Sequence, residues 1–240
     1  HVNLTDFPFC EQCLTLLQVG PSGPLAGGFD LQGLGHGDRS HESAWPPFPW
    51  NPRELEDPLI GREKARKMLL AGFRSTVDTW TSRIHLLVSE YGMGKSRLAK
   101  GLTAQAREAY PDTWVISTRC PETGGPFRMW DAVLREAFEI PNNADPEMAR
   151  ERFKLALTEL VGENVDELLQ PICKLMGWQT GPKGATSEVD SEDALIGRGS
   201  AALTRLMAMM SVRRPLLIVM RNANRATTRS LALAGAIEAT

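Results

Sequence analysis

The sequence has no run of about 18 apolar residues, so no stretch reads as a membrane-spanning helix. Its first residues also lack the charged-then-apolar pattern of a secretory signal. Charge of one sign is missing too: 27 Lys+Arg against 29 Asp+Glu leave a formal net charge of -2, and the basic residues are scattered. No global basic field therefore argues for a nucleic-acid partner. Cysteine is scarce, and four in 240 residues, only two of them close together, do not make a disulfide framework. Those two, Cys10 and Cys13, have the C-x-x-C spacing of half a zinc site. Tetrahedral zinc needs four ligands, and no second C-x-x-C or histidine pair lies at the usual distance, so they read as two reduced thiols or as half a knuckle whose partner precedes His1. The expected location is the cytoplasm, without membrane association.

With 42% hydrophobic residues, the chain can bury one core and carry an appendage. Residues 1–58 are the appendage. Gly20, Gly23, Gly27, Gly28, Gly33, Gly35 and Gly37 are followed by Pro46, Pro47, Pro49, Pro52 and Pro58, a pattern that prevents long helices and predicts a loop-rich or partly disordered leader. The start at His1 and the end at Thr240, inside an Ala-rich helix-like segment, lead us to expect a piece of a larger protein. On that expectation the domain of residues 59–240 is truncated.

Within that domain a helical pattern opens after Leu59-Ile60-Gly61-Arg62-Glu63 and runs to about Trp80, with Ala65, Met68, Leu69, Phe73, Val77 and Trp80 on one face. Strand-like runs cover residues 84–88, 113–118 and 215–220; the last, Pro215 to Met220, is continuously apolar and suits a central strand covered on both faces. Helical patterns cover 96–109, 129–138, 146–160, 165–176 and 192–212. Cys120 reads as a small buried filler, and Met207, Met209 and Met210 as packing residues. The alternation predicts an α/β fold of three layers, α/β/α, with a mainly parallel sheet and right-handed crossovers, incomplete at the C-terminus.

Between the first predicted strand and its helix lies Ser89-Glu90-Tyr91-Gly92-Met93-Gly94-Lys95-Ser96. This has the spacing of a phosphate-binding loop, G-x-x-x-x-G-K-[ST], with Ser89 in place of the first glycine. Gly92 and Gly94 let backbone N–H groups turn inward at unusual dihedral angles. The loop ends where a helix begins, so the helix dipole and unpaired N–H groups attract phosphate. Lys95 is expected to reach the outer phosphates and the Ser96 hydroxyl to ligate Mg2+.

Three stretches, Ile60-Gly61-Arg62-Glu63, Ser89 to Leu98 (SEYGMGKSRL) and Arg214 to Leu231 (RPLLIVMRNANRATTRSL), together resemble the AAA+-related signal-transduction ATPases with numerous domains, the STAND class of P-loop NTPases. The resemblance covers roughly residues 58–240 and is strongest at the loop with its Arg97-Leu98 extension. It implies binding of ATP or ADP, an adenine site near Ile60, Gly61 and Arg62, and control of other domains of the same chain or of protein partners, with self-association common in the class. In that family the strand matching 215–220 ends in two acidic residues, the Walker B acids, which hold the metal's water shell and polarise the attacking water. Here those positions read Arg221 and Asn222, and the following His-Trp pair reads Asn224 and Arg225. An arginine there repels Mg2+ but can pair with a phosphate oxygen. The reading is an ATP-binding regulatory module in signal transduction with weak or absent hydrolysis. Its rivals are an active ATPase or phosphotransferase drawing an acid from elsewhere, such as Glu90 or Glu122, and a scaffold for protein partners that binds no nucleotide.

Overall fold

The apolar run Leu216–Met220 folds into the sheet strand most thoroughly covered by helices. The computed structural model describes the backbone of residues 14–19 and residues 61–90, 93–162, 165–178 and 191–239. In chain order these form β1 (Leu14–Val19), α1 (Glu63–Thr79), β2 (Arg83–Leu87), α2 (Lys95–Ala109), β3 (Trp114–Arg119), α3 (Arg128–Ala137), α4 (Pro146–Val161), α5 (Asp166–Met176), α6 (Glu192–Arg213), β4 (Leu216–Arg221) and, after a 3-10 turn at Ala223–Arg225, α7 (Thr228–Glu238). Among the described residues the sheet runs β2-β1-β4-β3, with β3 and β4 parallel and β1 antiparallel to both its neighbours.

The expected mainly parallel sheet is therefore only partly observed. β2, β3 and β4 point one way, but the slot between β2 and β4 holds β1 running the other way, and among the described residues the one parallel pairing is β3 with β4. The strand comes from the stretch that composition marked as a loop-rich leader. Its six residues (LTLLQV) were hidden by the glycines and prolines that follow. Pairing on both edges satisfies its backbone groups, which local composition cannot foresee. Cys10 and Cys13 lie outside the described residues.

Alternation along β4 explains the layers. Leu217 and Val219 join Leu69 and Phe73 of α1 and Leu98, Leu102 and Ala106 of α2 in one cluster. Leu216, Ile218 and Met220 face a larger core built from Trp130, Val133 and Leu134 of α3, Leu203, Leu206, Met207 and Met210 of α6, and Leu233 and Ile237 of α7. All five residues from Leu216 to Met220 are buried, each contributing about 1.5–3 kcal/mol on leaving water. Cys120 is buried, and burial pushes its thiol pKa up. On α1 the expected apolar face narrows: Leu69 and Phe73 are buried, whereas Met68 is 62% and Trp80 50% exposed. Trp80 ends the helix in a left-handed conformation at φ 57°, which turns its side chain off the helical stripe.

Local chemistry sets several helix starts. Asp145 accepts from the Met148 N–H at 2.8 Å, with Pro146 opening α4; Ser191 and Thr227 accept from the N–H groups of Ala194 and Ser230. Each satisfies a backbone donor that a helix leaves unpaired.

His85 on β2 gives the fold a pH dependence. It is half-buried so close to α1 that a Cβ on Gly72 would come within 2.5 Å of its Nε2, a nitrogen with no hydrogen-bond partner among the described residues. Burial first, then the charge of Arg83, holds its pKa below the ordinary value, with Glu238 offsetting part of this. The folded state keeps His85 neutral, while the unfolded chain takes up a proton near pH 6.5. Stability is therefore unaffected above that pH and declines as the pH falls below it, where the unfolded state binds more protons. His85→Gln, which cannot titrate, is expected to flatten the decline in the urea midpoint between about pH 6.5 and 5; an unchanged slope would assign it to other groups.

Candidate nucleotide site

The segment between β2 and α2 carries the expected phosphate-loop residues. β2 ends at Leu87, and α2 begins at Lys95 with Gly94 as its N-cap residue, at φ 79° and without a side-chain cap. A left-handed conformation there suits glycine and strains any residue with a Cβ. No side chain of the N-cap residue caps the first turn of α2, and helix starts attract anions. Lys95 Nζ donates to Ser89 O at 2.5 Å, to Ser89 Oγ at 3.1 Å and to Glu90 O at 2.7 Å. The ammonium group thus lies across the start of the loop, held by neutral oxygens that a phosphate, as a charged acceptor, outcompetes.

The turn before α1 joins this loop. Arg62 Nη2 donates to Met93 O at 3.0 Å, and the Gly61 N–H donates to Glu63 Oε1 at 3.1 Å with Gly61 at φ 78°. Hydrogen bonds from its own backbone N–H and from that of Gly61 hold the Glu63 carboxyl below the usual carboxylate range. The structure thus ties Arg62, which follows Gly61, to Met93, and Lys95, which follows Gly94, to Ser89 and Glu90. Ser96 and Arg97 lie exposed in the first turn of α2. Ile60, Tyr91 and Gly92 lie outside the described residues.

Register places the end of β4 on the same sheet edge. Arg119 of β3 pairs with Arg221, Arg221 with Leu14 of β1, and Leu14 with Leu87 of β2. Two strand spacings separate Leu87, two residues before the loop, from Arg221, or about 10 Å. Asn222 follows at φ 57°. Glu122, which could have supplied an acid here, is instead ion-paired with Arg225. Arg128 Nη2 donates to Arg225 O, and Thr227 and Ser230 hydroxyls donate to Pro126 O, so the segments after β3 and after β4 are bound together.

Sequence reasoning did not find a cavity of about 250 Å³ beyond β3, lined in part by Gly124, Arg128, Asp131, Arg135 and Trp178. Three of its polar groups are joined: Asp131 accepts from Arg135 Nε at 3.0 Å and from Trp178 Nε1 at 2.7 Å. Arg135 also lies 5.4 Å from the Trp178 ring centroid. A cation stacked on an aromatic face and paired with a half-buried acid reads as a structural knot.

A strand, a glycine-bearing loop closed by a lysine and a helix start without a side-chain cap define a nucleotide-binding P-loop domain. Residues 58–237 match the AAA ATPase domain, and the chain belongs to that family. No curated protein and no solved structure matches it. The family implies ATP or ADP and typically Mg2+.

The nucleotide fits the residues present: the loop, the helix start and Lys95 supply donors for phosphate. Magnesium does not fit equally. It demands near-octahedral oxygen ligation, and beyond the exposed Ser96 hydroxyl the sheet edge offers Arg119, Arg221 and Asn222, with Glu122 already paired. Among the described residues there is no cluster of His, Cys, Asp and Glu able to hold a metal ion, and no helix is long and apolar enough to cross a membrane.

Proposed function

We propose that this chain is the nucleotide-binding regulatory module of a STAND-class signalling protein, one whose ATP or ADP state controls attached domains or protein partners and which hydrolyses ATP weakly or not at all. The observation that carries this reading is the contrast between the two halves of the site. The phosphate half keeps Gly94, Lys95 and a helix start without a side-chain cap. The catalytic half has Arg221 and Asn222 at the strand end, where a carboxylate is needed to position metal and water. Phosphoryl transfer draws several kcal/mol of its transition-state stabilisation from such positioning. Ground-state binding draws mainly on the loop amides and the lysine, so it survives the loss.

In this reading Ile60, Gly61 and Arg62 lie against the adenine, and residues 89–97 wrap the phosphates. Nucleotide shifts the module toward a closed arrangement by its greater affinity for that state. The bond from Arg62 to Met93 O supports such coupling, because it makes the entry turn sensitive to the loop's conformation.

The test is a titration of the chain with fluorescent ATP and ADP, alongside a phosphate-release assay. Saturable binding is expected, with turnover at least on the order of 100-fold below the roughly 10 s⁻¹ of a median enzyme. Turnover near that median would refute the weak-hydrolysis reading; no binding of either nucleotide would leave the scaffold reading in its place.

A further inference from the structure

The row Arg119–Arg221 ends the parallel pair at the edge where the phosphate loop begins. Residues directly opposite in a ladder project to the same face, so the two arginine side chains leave the sheet on one side, near enough for the Arg119 charge to act on Arg221. Arg221 Nε is buried and has no hydrogen-bond partner among the described residues. Burial, and next the charge of Arg119, pull the Arg221 pKa below its ordinary value, with Glu136 on α3 offsetting only part. Glu122, the acid that follows β3 most closely, is occupied by Arg225. Two adjacent cations with an unsatisfied buried donor form an arrangement that an anion relieves.

We propose that Arg119 and Arg221 form a cationic clamp for the terminal phosphates of a nucleoside triphosphate, taking the electrostatic place of a divalent cation so that the domain binds ATP without Mg2+. The proposal rests on the nucleotide-binding reading and adds to it the species bound: the free triphosphate, not its magnesium complex. Geometry and chemistry agree. Arg221 stands about 10 Å from Leu87 across two strand spacings, a gap that an arginine side chain and a phosphate chain extending from Lys95 bridge together. Guanidinium groups pair with phosphate oxygens through two parallel N–H bonds and stay charged at neutral pH. The diphosphate, lacking the outermost group, gains less from the clamp, so the site favours ATP over ADP.

The experiment is a fluorescence titration of the intact chain with labelled ATP and labelled ADP, each with Mg2+ and with excess EDTA. Expected for the unmodified chain is an ATP affinity in EDTA within about threefold of that in Mg2+, where loss of a needed cation would cost tenfold or more. Arg221→Ala is expected to weaken ATP binding in EDTA by about tenfold or more, with a smaller effect on ADP. Arg119→Ala is expected to weaken it in the same direction, and Arg221→Asp to restore dependence on Mg2+. ATP affinity that collapses in EDTA overturns the clamp, as does an Arg221→Ala chain that binds ATP as before. The comparison on the unmodified chain needs no variant, so misfolding of a mutant does not shield the proposal. Binding of neither nucleotide under either condition overturns the nucleotide-binding reading together with the clamp, whereas Mg2+-dependent binding overturns the clamp alone.

Discussion

Lys95→Ala is expected to weaken ATP binding by about a hundredfold or more, the size of a lost charge-assisted contact to phosphate of about 3 kcal/mol. The lysine begins the helix that closes the loop, and its ammonium group is held within 3.1 Å of two carbonyl oxygens and one hydroxyl of Ser89 and Glu90. On the nucleotide-binding reading these bonds hold the charge beside the phosphate site, so little ordering remains to be done on binding. The same change should barely alter folding. Its partners are exposed or part-buried loop oxygens that water can satisfy, and alanine is a good helix former. A shift of about 1 kcal/mol or less in unfolding free energy is expected. Anisotropy with labelled ATP and denaturation followed by circular dichroism measure the two effects separately. Unaltered ATP affinity would mean that the loop is not a phosphate site.

The largest effect on stability is expected from Trp130→Ala, about 3–5 kcal/mol. Trp130 is fully buried in the main core, and its indole N–H donates to Ser230 O at 2.9 Å, joining α3 to α7. Truncation opens a cavity among close-packed neighbours and removes the hydrogen bond that joins the two helices. Because such a domain is typically stable by only about 5–15 kcal/mol in total, the variant should sit near the edge of folding. Trp130→Phe separates the contributions: it keeps most of the apolar volume and loses the hydrogen bond, at a cost of about 1–3 kcal/mol. Urea unfolding measures both, and an unchanged slope against denaturant concentration shows that the difference lies in stability. Equal losses in the two variants would mean that the hydrogen bond, and not the packing, dominates.

How much could be read ahead differs from element to element. β4 was legible because a continuous apolar run has only one comfortable place in an α/β domain, between two helical layers. The strand, loop and helix around Lys95 were legible because phosphate binding demands a short, ordered set of residue types. Observed bounds for β2 and α2 fall within one residue of the periodic pattern. β1 was not legible: six residues among many glycines and prolines carry too little signal, and their pairing with β2 and β4 spans most of the chain. Nor was the neutralisation of Glu122 by Arg225, two residues 103 positions apart. Met68 and Trp80 misled for a related reason, since a helical stripe shows what can be buried and the neighbouring layer decides what is.

Local order along the chain was enough to establish a phosphate loop, its helix and a strand covered on both faces, because backbone propensity, glycine dihedrals and apolar period act over a few residues. Tertiary structure alone decided that a leader strand separates β2 from β4, that Arg62 reaches the loop through Met93, and that Arg119 stands beside Arg221. Those relations depend on register and on strand order, and both are settled only when distant segments compete for the same backbone hydrogen bonds and the same buried space.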